Sequence, residues 1–142
     1  MAEELLRRSY AVRGRDFDKA GERAAEIKQL LKELDMDASL IHRAVVIAFE
    51  AEMNVVMYAY EGTLTCVLTD EDICLEITDK GPGIEDVELA LTEGFSTATD
   101  EMREMGFGFG MGLPNIQACA DEMKLESKAG IGTRLEIVIY TQ

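Results

Sequence analysis

At Gly62 the hydrophobic period of this chain changes, and that switch limits the folds open to it. Upstream, apolar residues recur at three- and four-residue spacing. Ala20, Ala24, Ile27, Leu30, Leu31 and Leu34 predict a helix from Asp16 or Asp18 to about Leu34, which Asp35-Met36-Asp37 breaks. Leu40, Ala44, Ile47, Ala48, Ala51 and Val55 predict a second helix, from Asp37 or Ser39 to about Tyr60, that Gly62 ends. Downstream the period is two: Thr63–Leu68 and Ile73–Thr78 read as a hairpin turning at Thr69-Asp70-Glu71-Asp72. Residues 6–13 suit a first strand. Lys124–Ser127 and Thr133–Tyr140 suit two closing strands around Gly130-Ile131-Gly132, and Leu113–Ala120 a helix. Glu85–Leu91 reads as a short helix and residues 92–110 as a mobile loop. Helices beside strands in this order predict an α+β fold. The expected form is a two-layer sandwich whose mostly antiparallel, mixed sheet is covered on one face by helices.

The length, 142 residues, suits a single domain spanning 1–142. Acids outnumber bases by 28 to 14, a formal charge of −14, with no local run of Lys and Arg. Such a chain is repelled by nucleic acid and by anionic membrane surfaces, so neither is expected as a partner. The acidity serves solubility or the choice of a basic partner. The N-terminus lacks the basic start and apolar core of a signal peptide, and no apolar run is long enough to span a bilayer, so a cytoplasmic location is expected. Cys66, Cys74 and Cys119 lack a metal-binding or disulfide spacing and read as reduced thiols. The lone histidine, His42, reads as a helix-surface residue.

Three stretches carry chemistry. Glu50 and Asn54 are four residues apart on the second helix, so they share a face. They are either exposed polar residues of an amphipathic helix or a functional pair. In the second case the amide oxygen of Asn54 suits Mg²⁺, and Glu50 could orient an incoming hydroxyl or water. Asp79 ends a strand and is followed by the tight turn Lys80-Gly81-Pro82-Gly83-Ile84. A carboxylate there only accepts hydrogen bonds. The stretch is either a tight turn alone or a base site; in the second case the acid suits the exocyclic amine of adenine and rejects the carbonyl of guanine, and Gly81 and Gly83 would let a flat base approach the backbone. Finally, Gly106, Gly108, Gly110 and Gly112 alternate with apolar residues and run into a helix. This is neither a Walker loop nor a dinucleotide fingerprint. The run is either a flexible hinge or, before a helix N-terminus, an anion site; in the second case an acidic chain needs backbone dipoles and Mg²⁺ to offset phosphate charge.

In that order the stretches resemble the GHKL ATPase superfamily. Glu50-Ala51-Glu52-Met53-Asn54 resembles its N box, Asp79 to Ile84 its G1 box and Gly110-Met111-Gly112-Leu113 its G2 box. Gly130-Ile131-Gly132-Thr133 is similar to the motif that closes its adenine pocket. The resemblance covers about residues 8–140 and implies the Bergerat sandwich, with ATP and Mg²⁺ as cofactors. A stand-alone unit of this size, with the loop Glu93-Gly94-Phe95-Ser96-Thr97, is similar to the bacterial anti-sigma factor serine/threonine kinases of the RsbW, RsbT and SpoIIAB group, especially the RsbT branch.

The resemblance implies Glu50 as the catalytic base and Asn54 as the Mg²⁺ ligand. Asp79 with Gly81, Gly83 and Thr133 would hold adenine, and Gly108, Gly110 and Gly112 the phosphates. It implies phosphorylation of a STAS-domain antagonist, with a sigma factor or a phosphatase as further partner and a homodimer left open. A non-catalytic ATP-dependent docking module is the alternative. A detached histidine-kinase domain is disfavoured for want of phosphoacceptor helices. Tyr58 where related kinases carry His, Lys80 where Asn is common, and the extra Gly106 and Gly108 depart from the family pattern.

Overall fold

The computed structural model describes residues 2–84, 91–92 and 112–142. Along the chain these form β1 (Glu4–Arg13), a short 3₁₀ turn (Phe17–Lys19), α1 (Glu22–Glu33), α2 (Ala38–Tyr58), β2 (Glu61–Thr69), β3 (Asp72–Lys80), α3 (Gly112–Cys119), β4 (Glu122–Lys128) and β5 (Gly132–Tyr140). All of the expected helix over Glu85–Leu91 but its last residue, nearly all of the 92–110 loop, and Gly106, Gly108 and Gly110 lie outside the described residues.

The strands form one sheet in the order β1-β2-β3-β5-β4. All four pairings are antiparallel, so among the described strands the sheet is not mixed. Strand periodicity explains its two faces. Tyr10, Leu64, Ile77, Leu135 and Leu125 stand opposite one another across all five strands and point at the helices. The other face is a lattice of polar pairs, among them Ser9 with Thr65 and Arg134 with Glu76 and Glu136. Such exposed ion pairs add little stability. They keep that face wet and so make the fold two layers rather than three.

The helix α2 is the central spar. Its side chain cap is Asp37, which accepts the Ser39 amide at 2.8 Å, and its buried face carries Ala44, Ile47, Ala48, Ala51 and Val55. It ends at Tyr58, two residues before β2 begins, and Gly62 lies inside β2 rather than at the helix end. Ala24, Ile27 and Leu31 of α1 pack against the same core, whereas Leu34 is exposed.

The start of α1 corrects the sequence reading. Neither Asp16 nor Asp18 caps it; the chain first makes the 3₁₀ turn, and α1 begins after Gly21 without a cap of its own. The cap comes from α2 instead. Glu52, 1% exposed, accepts the amides of Gly21 (3.0 Å), Arg23 (3.3 Å) and Ala24 (2.9 Å). Three charge-assisted bonds at the positive end of a helix make this buried carboxylate tolerable. They fix α1 to the segment of α2 that carries Glu50 and Asn54.

Cys66 and Cys74 lie on neighbouring strands, but Cys66 is opposite Leu75 and Cys74 opposite Val67, so the two thiols take opposite faces and form no disulfide. Burial pushes Cys66 up to about 11, and burial with the Asp72 carboxylate beside it pushes Cys74 up to about 12. His42 is exposed on α2 as expected.

Candidate nucleotide site

One row beyond the apolar band, the inner face of the sheet turns polar. The row reads Val12, Gly62, Asp79, Thr133, Ser127 from β1 to β4. Strand register alone therefore gathers Asp79, Thr133 and Ser127. The Thr133 amide donates to Asp79 Oδ1 at 3.1 Å, and the Ser127 hydroxyl lies 3.1 Å from that of Thr133.

The turn after β3 is fastened to the β4–β5 turn. Gly81 N–H donates to Ile131 O (3.1 Å), Gly130 N–H to Pro82 O (2.8 Å) and Ile84 N–H to Ser127 Oγ (2.7 Å). Gly83 is required here on two counts. Its φ is +73°, and a Cβ would stand 2.3 Å from Lys128 O. The result is a ledge of backbone around one half-buried carboxylate. Burial raises the pKa of Asp79, opposed by the bond from the Thr133 amide. Among the described residues the Thr133 amide donates to it, and a ligand N–H would add a second bond that offsets desolvation.

The second cluster is built by helices. Glu50 and Asn54 project from one face of α2 toward the first turn of α3. A Cβ on Gly112 would lie 3.3 Å from both Asn54 Oδ1 and Glu50 Oε2. A side chain there would require both oxygens to yield by a few tenths of an ångström. Asn115, one turn along α3, donates Nδ2–H to Glu50 Oε1 at 3.3 Å. At the other end of α3, Arg43 of α2 donates Nε–H to Cys119 O (2.9 Å) and pairs with Asp121 (3.1 Å). The two helices are thus tied at both ends. The backbone also joins the two clusters: the Tyr60 amide, just past α2, donates to Lys80 O beside the Asp79 turn at 2.8 Å.

A carboxylate oxygen and an amide oxygen beside a helix start fit a hard cation carrying phosphate, and no cluster of three or more His, Cys, Asp or Glu able to hold a metal occurs among the described residues. The amide oxygen of Asn54 would suit Mg²⁺, a cation that commonly binds substrate phosphates and keeps several waters.

Residues 37–142 match the family described as Histidine kinase-, DNA gyrase B-, and HSP90-like ATPase. The chain belongs to that ATPase family. Its fold, helices over one face of an antiparallel sheet, is the sandwich expected of such ATPases, and the family brings ATP binding with it. An anti-sigma F factor of Caldanaerobacter subterraneus subsp. tengcongensis is 36% identical over 96 residues, covering 64% of each chain. An anti-sigma F factor of Clostridium acetobutylicum is 28% identical over 114 residues, 77% of this chain and 76% of its own. The serine/threonine-protein kinase RsbT of Bacillus subtilis is 30% identical over 93 residues, 63% of this chain and 64% of its own. The match to the Caldanaerobacter relative thus spans just under two thirds of its length. No helix among the described residues is long and apolar enough to cross a membrane.

Within this member of the family, the structure brings Glu50, Asn54 and Gly112 together, and separately Asp79, Thr133 and the turn holding Gly81 and Gly83. Gly108 and Gly110 lie outside the described residues. Three participants escaped the sequence reading. Ser127 was legible only through the register of β4 on β5. Asn115 carried a signal, its three-residue spacing from Gly112 on a helix. Glu52 had none, because a carboxylate on the helix face away from Asn54 looks like solvent-exposed charge until α1 is seen resting on it.

Proposed function

We propose that the chain is an ATP-dependent protein serine/threonine kinase of a partner-switching module, acting on a hydroxyl of a STAS-domain antagonist. The observation that carries this reading is the approach of Gly112 to Glu50 and Asn54, which sets a carboxylate and an amide oxygen at the start of the helix that follows the glycine run. Relatives named serine/threonine-protein kinase RsbT and anti-sigma F factor support it.

In this reading Asp79 accepts the adenine amine, with Gly81 and Gly83 leaving room for the ring and Thr133 steadying the carboxylate. Asn54 would hold Mg²⁺, and Gly108, Gly110 and Gly112 would approach the phosphates. Mg²⁺-ATP would supply the phosphoryl group. Glu50 would accept the proton of the partner's serine or threonine hydroxyl as that oxygen bonds to the γ-phosphorus and the bond from the γ-phosphorus to the ADP oxygen breaks; ADP would leave and the proton pass to solvent. Phosphoryl transfer asks mainly for positioning and charge stabilisation, which a carboxylate on a rigid helix provides.

The test is incubation with γ-labelled ATP and STAS-domain proteins encoded beside this chain. Label on a serine or threonine of one of them is expected. The relatives named anti-sigma F factor favour a second reading, nucleotide-dependent docking on a sigma factor. ATP-dependent capture of a sigma factor or phosphatase without any label transfer would select it.

A further inference from the structure

Glu50 is held from outside its own helix. Its Oε1 accepts the amide of Asn115, while Oε2 is the oxygen 3.3 Å from the Cβ position of Gly112. The carboxylate is therefore divided between two tasks, one oxygen anchored and the other turned toward Gly112 and Asn54. Left alone, a glutamate carboxyl rotates broadly about its last torsion. One donor on one oxygen removes that freedom.

We propose that Asn115 is a positioning residue for Glu50, setting which carboxylate oxygen faces the hydroxyl that is to be phosphorylated; this rests on the reading of Glu50 as the proton acceptor. Three features support it. Gly112 and Asn115 are three residues apart on α3, and Glu50 and Asn54 four apart on α2, so the two pairs meet face to face. The origin of the Asn115 side chain is fixed, because Pro114 and Ile116 on either side are buried and Arg43 clamps the far end of α3 to α2. The donor is also of the right kind. A neutral amide orients a carboxylate without neutralising it, as a lysine or arginine would by forming an ion pair. The 3.3 Å length is that of a bond able to tighten when the nucleotide is in place. Asn115 stands two residues after the glycine motif ends at Leu113, so the helix that receives the phosphates also aims the base.

The experiment is a double-mutant cycle on label transfer from γ-labelled ATP to the STAS-domain partner, using wild type, Asn115→Ala, Glu50→Gln and the double variant. Asn115→Ala should lower the turnover rate by about tenfold while the KM for ATP stays within about twofold. In the Glu50→Gln background the same change should alter the rate by less than about twofold, because there is no base left to aim. Asn115→Asp keeps the shape but sets a second acid against Glu50, and should lose more than the alanine. An Asn115→Ala loss of equal size in both backgrounds, or no loss in wild type, overturns the role of Asn115 while leaving Glu50 standing. A wild type without transfer, or a Glu50→Gln variant as fast as wild type, overturns the reading of Glu50 itself, and the role of Asn115 with it.

Discussion

The two clusters of this site are made by different physics. The Asp79 cluster is a product of strand register: Asp79, Thr133 and Ser127 occupy one row of the sheet, and three backbone amides zip the neighbouring turns together. Its geometry is as fixed as the sheet. The Glu50 cluster is a contact between two helix faces, closed by one side-chain bond of 3.3 Å and one absent side chain at Gly112. Backbone ladders hold to tenths of an ångström, whereas side-chain contacts between helices can be retuned by a single substitution. On the proposed function, base recognition would be built into the sheet, while the reacting end would depend on what braces α2 and α3.

The largest effect should come from the charge at the helical cluster. Glu50→Gln keeps shape and most hydrogen bonding, and label transfer to a STAS-domain partner should fall by about 10²–10⁴-fold. Nothing comparable should follow a conservative change at Thr133, whose contribution to Asp79 is a backbone amide.

Next comes the brace beneath that cluster. Glu52→Ala strips three amides at the start of α1, one buried and two part-buried, of their acceptor. The lost cap and the unsatisfied donors together should cost about 3 kcal/mol, read as a lower denaturant midpoint. Glu52→Gln should cost less, since its amide oxygen still accepts. If Glu52→Ala unfolds at the wild-type midpoint, the frame under α2 is not what it is taken to be here.

A smaller effect tests the close approach. Gly112→Ala puts a Cβ 3.3 Å from two oxygens, which must yield by a few tenths of an ångström. Transfer should fall by about tenfold with stability nearly unchanged, because misplacement at a reacting centre is felt far more than a small surface rearrangement.

The smallest effect, and the most diagnostic of the sheet cluster, concerns stability without nucleotide. Burial raises the pKa of Asp79 above its ordinary value in the folded chain. The folded state then binds more protons than the unfolded one across that window. The stability that Asp79 contributes is present at low pH and is lost as pH rises through the raised value. Asp79→Asn escapes this penalty. In thermal melts of the nucleotide-free protein it should match or exceed wild type at neutral pH, with the difference fading below the ordinary carboxylate range near about pH 4. A variant destabilised at neutral pH would mean that the ionised carboxylate is structural.

What could be read in advance followed from where the information lies. Hydrophobic period placed α2, the β2–β3 hairpin and β5 within a few residues, because each buries a long apolar face. Glu50 and Asn54 were legible as a pair from helical spacing alone. The cap of α1 was not: Asp16 and Asp18 have the right chemistry in the right place, but Glu52, 28 residues beyond Ala24, offers a buried acceptor that outcompetes them. Gly62 likewise reads as a helix stop, yet serves in β2, opposite Asp79. Local rules failed where a distant part of the chain supplied the partner, and Ser127 and Asn115 belong to the same class.

The central claim is that nucleotide recognition and phosphoryl transfer sit in separable clusters, and calorimetric titration with Mg-ATP tests it most directly. Asp79→Asn should lose about 1.5–3 kcal/mol of binding free energy, roughly ten- to hundredfold in affinity, because an amide donor then faces the adenine amine. Glu50→Gln should bind Mg-ATP within about twofold of wild type despite its loss of transfer. Equal ATP binding by Asp79→Asn and wild type, or a Glu50→Gln variant that loses affinity as Asp79→Asn was expected to, would contradict the account.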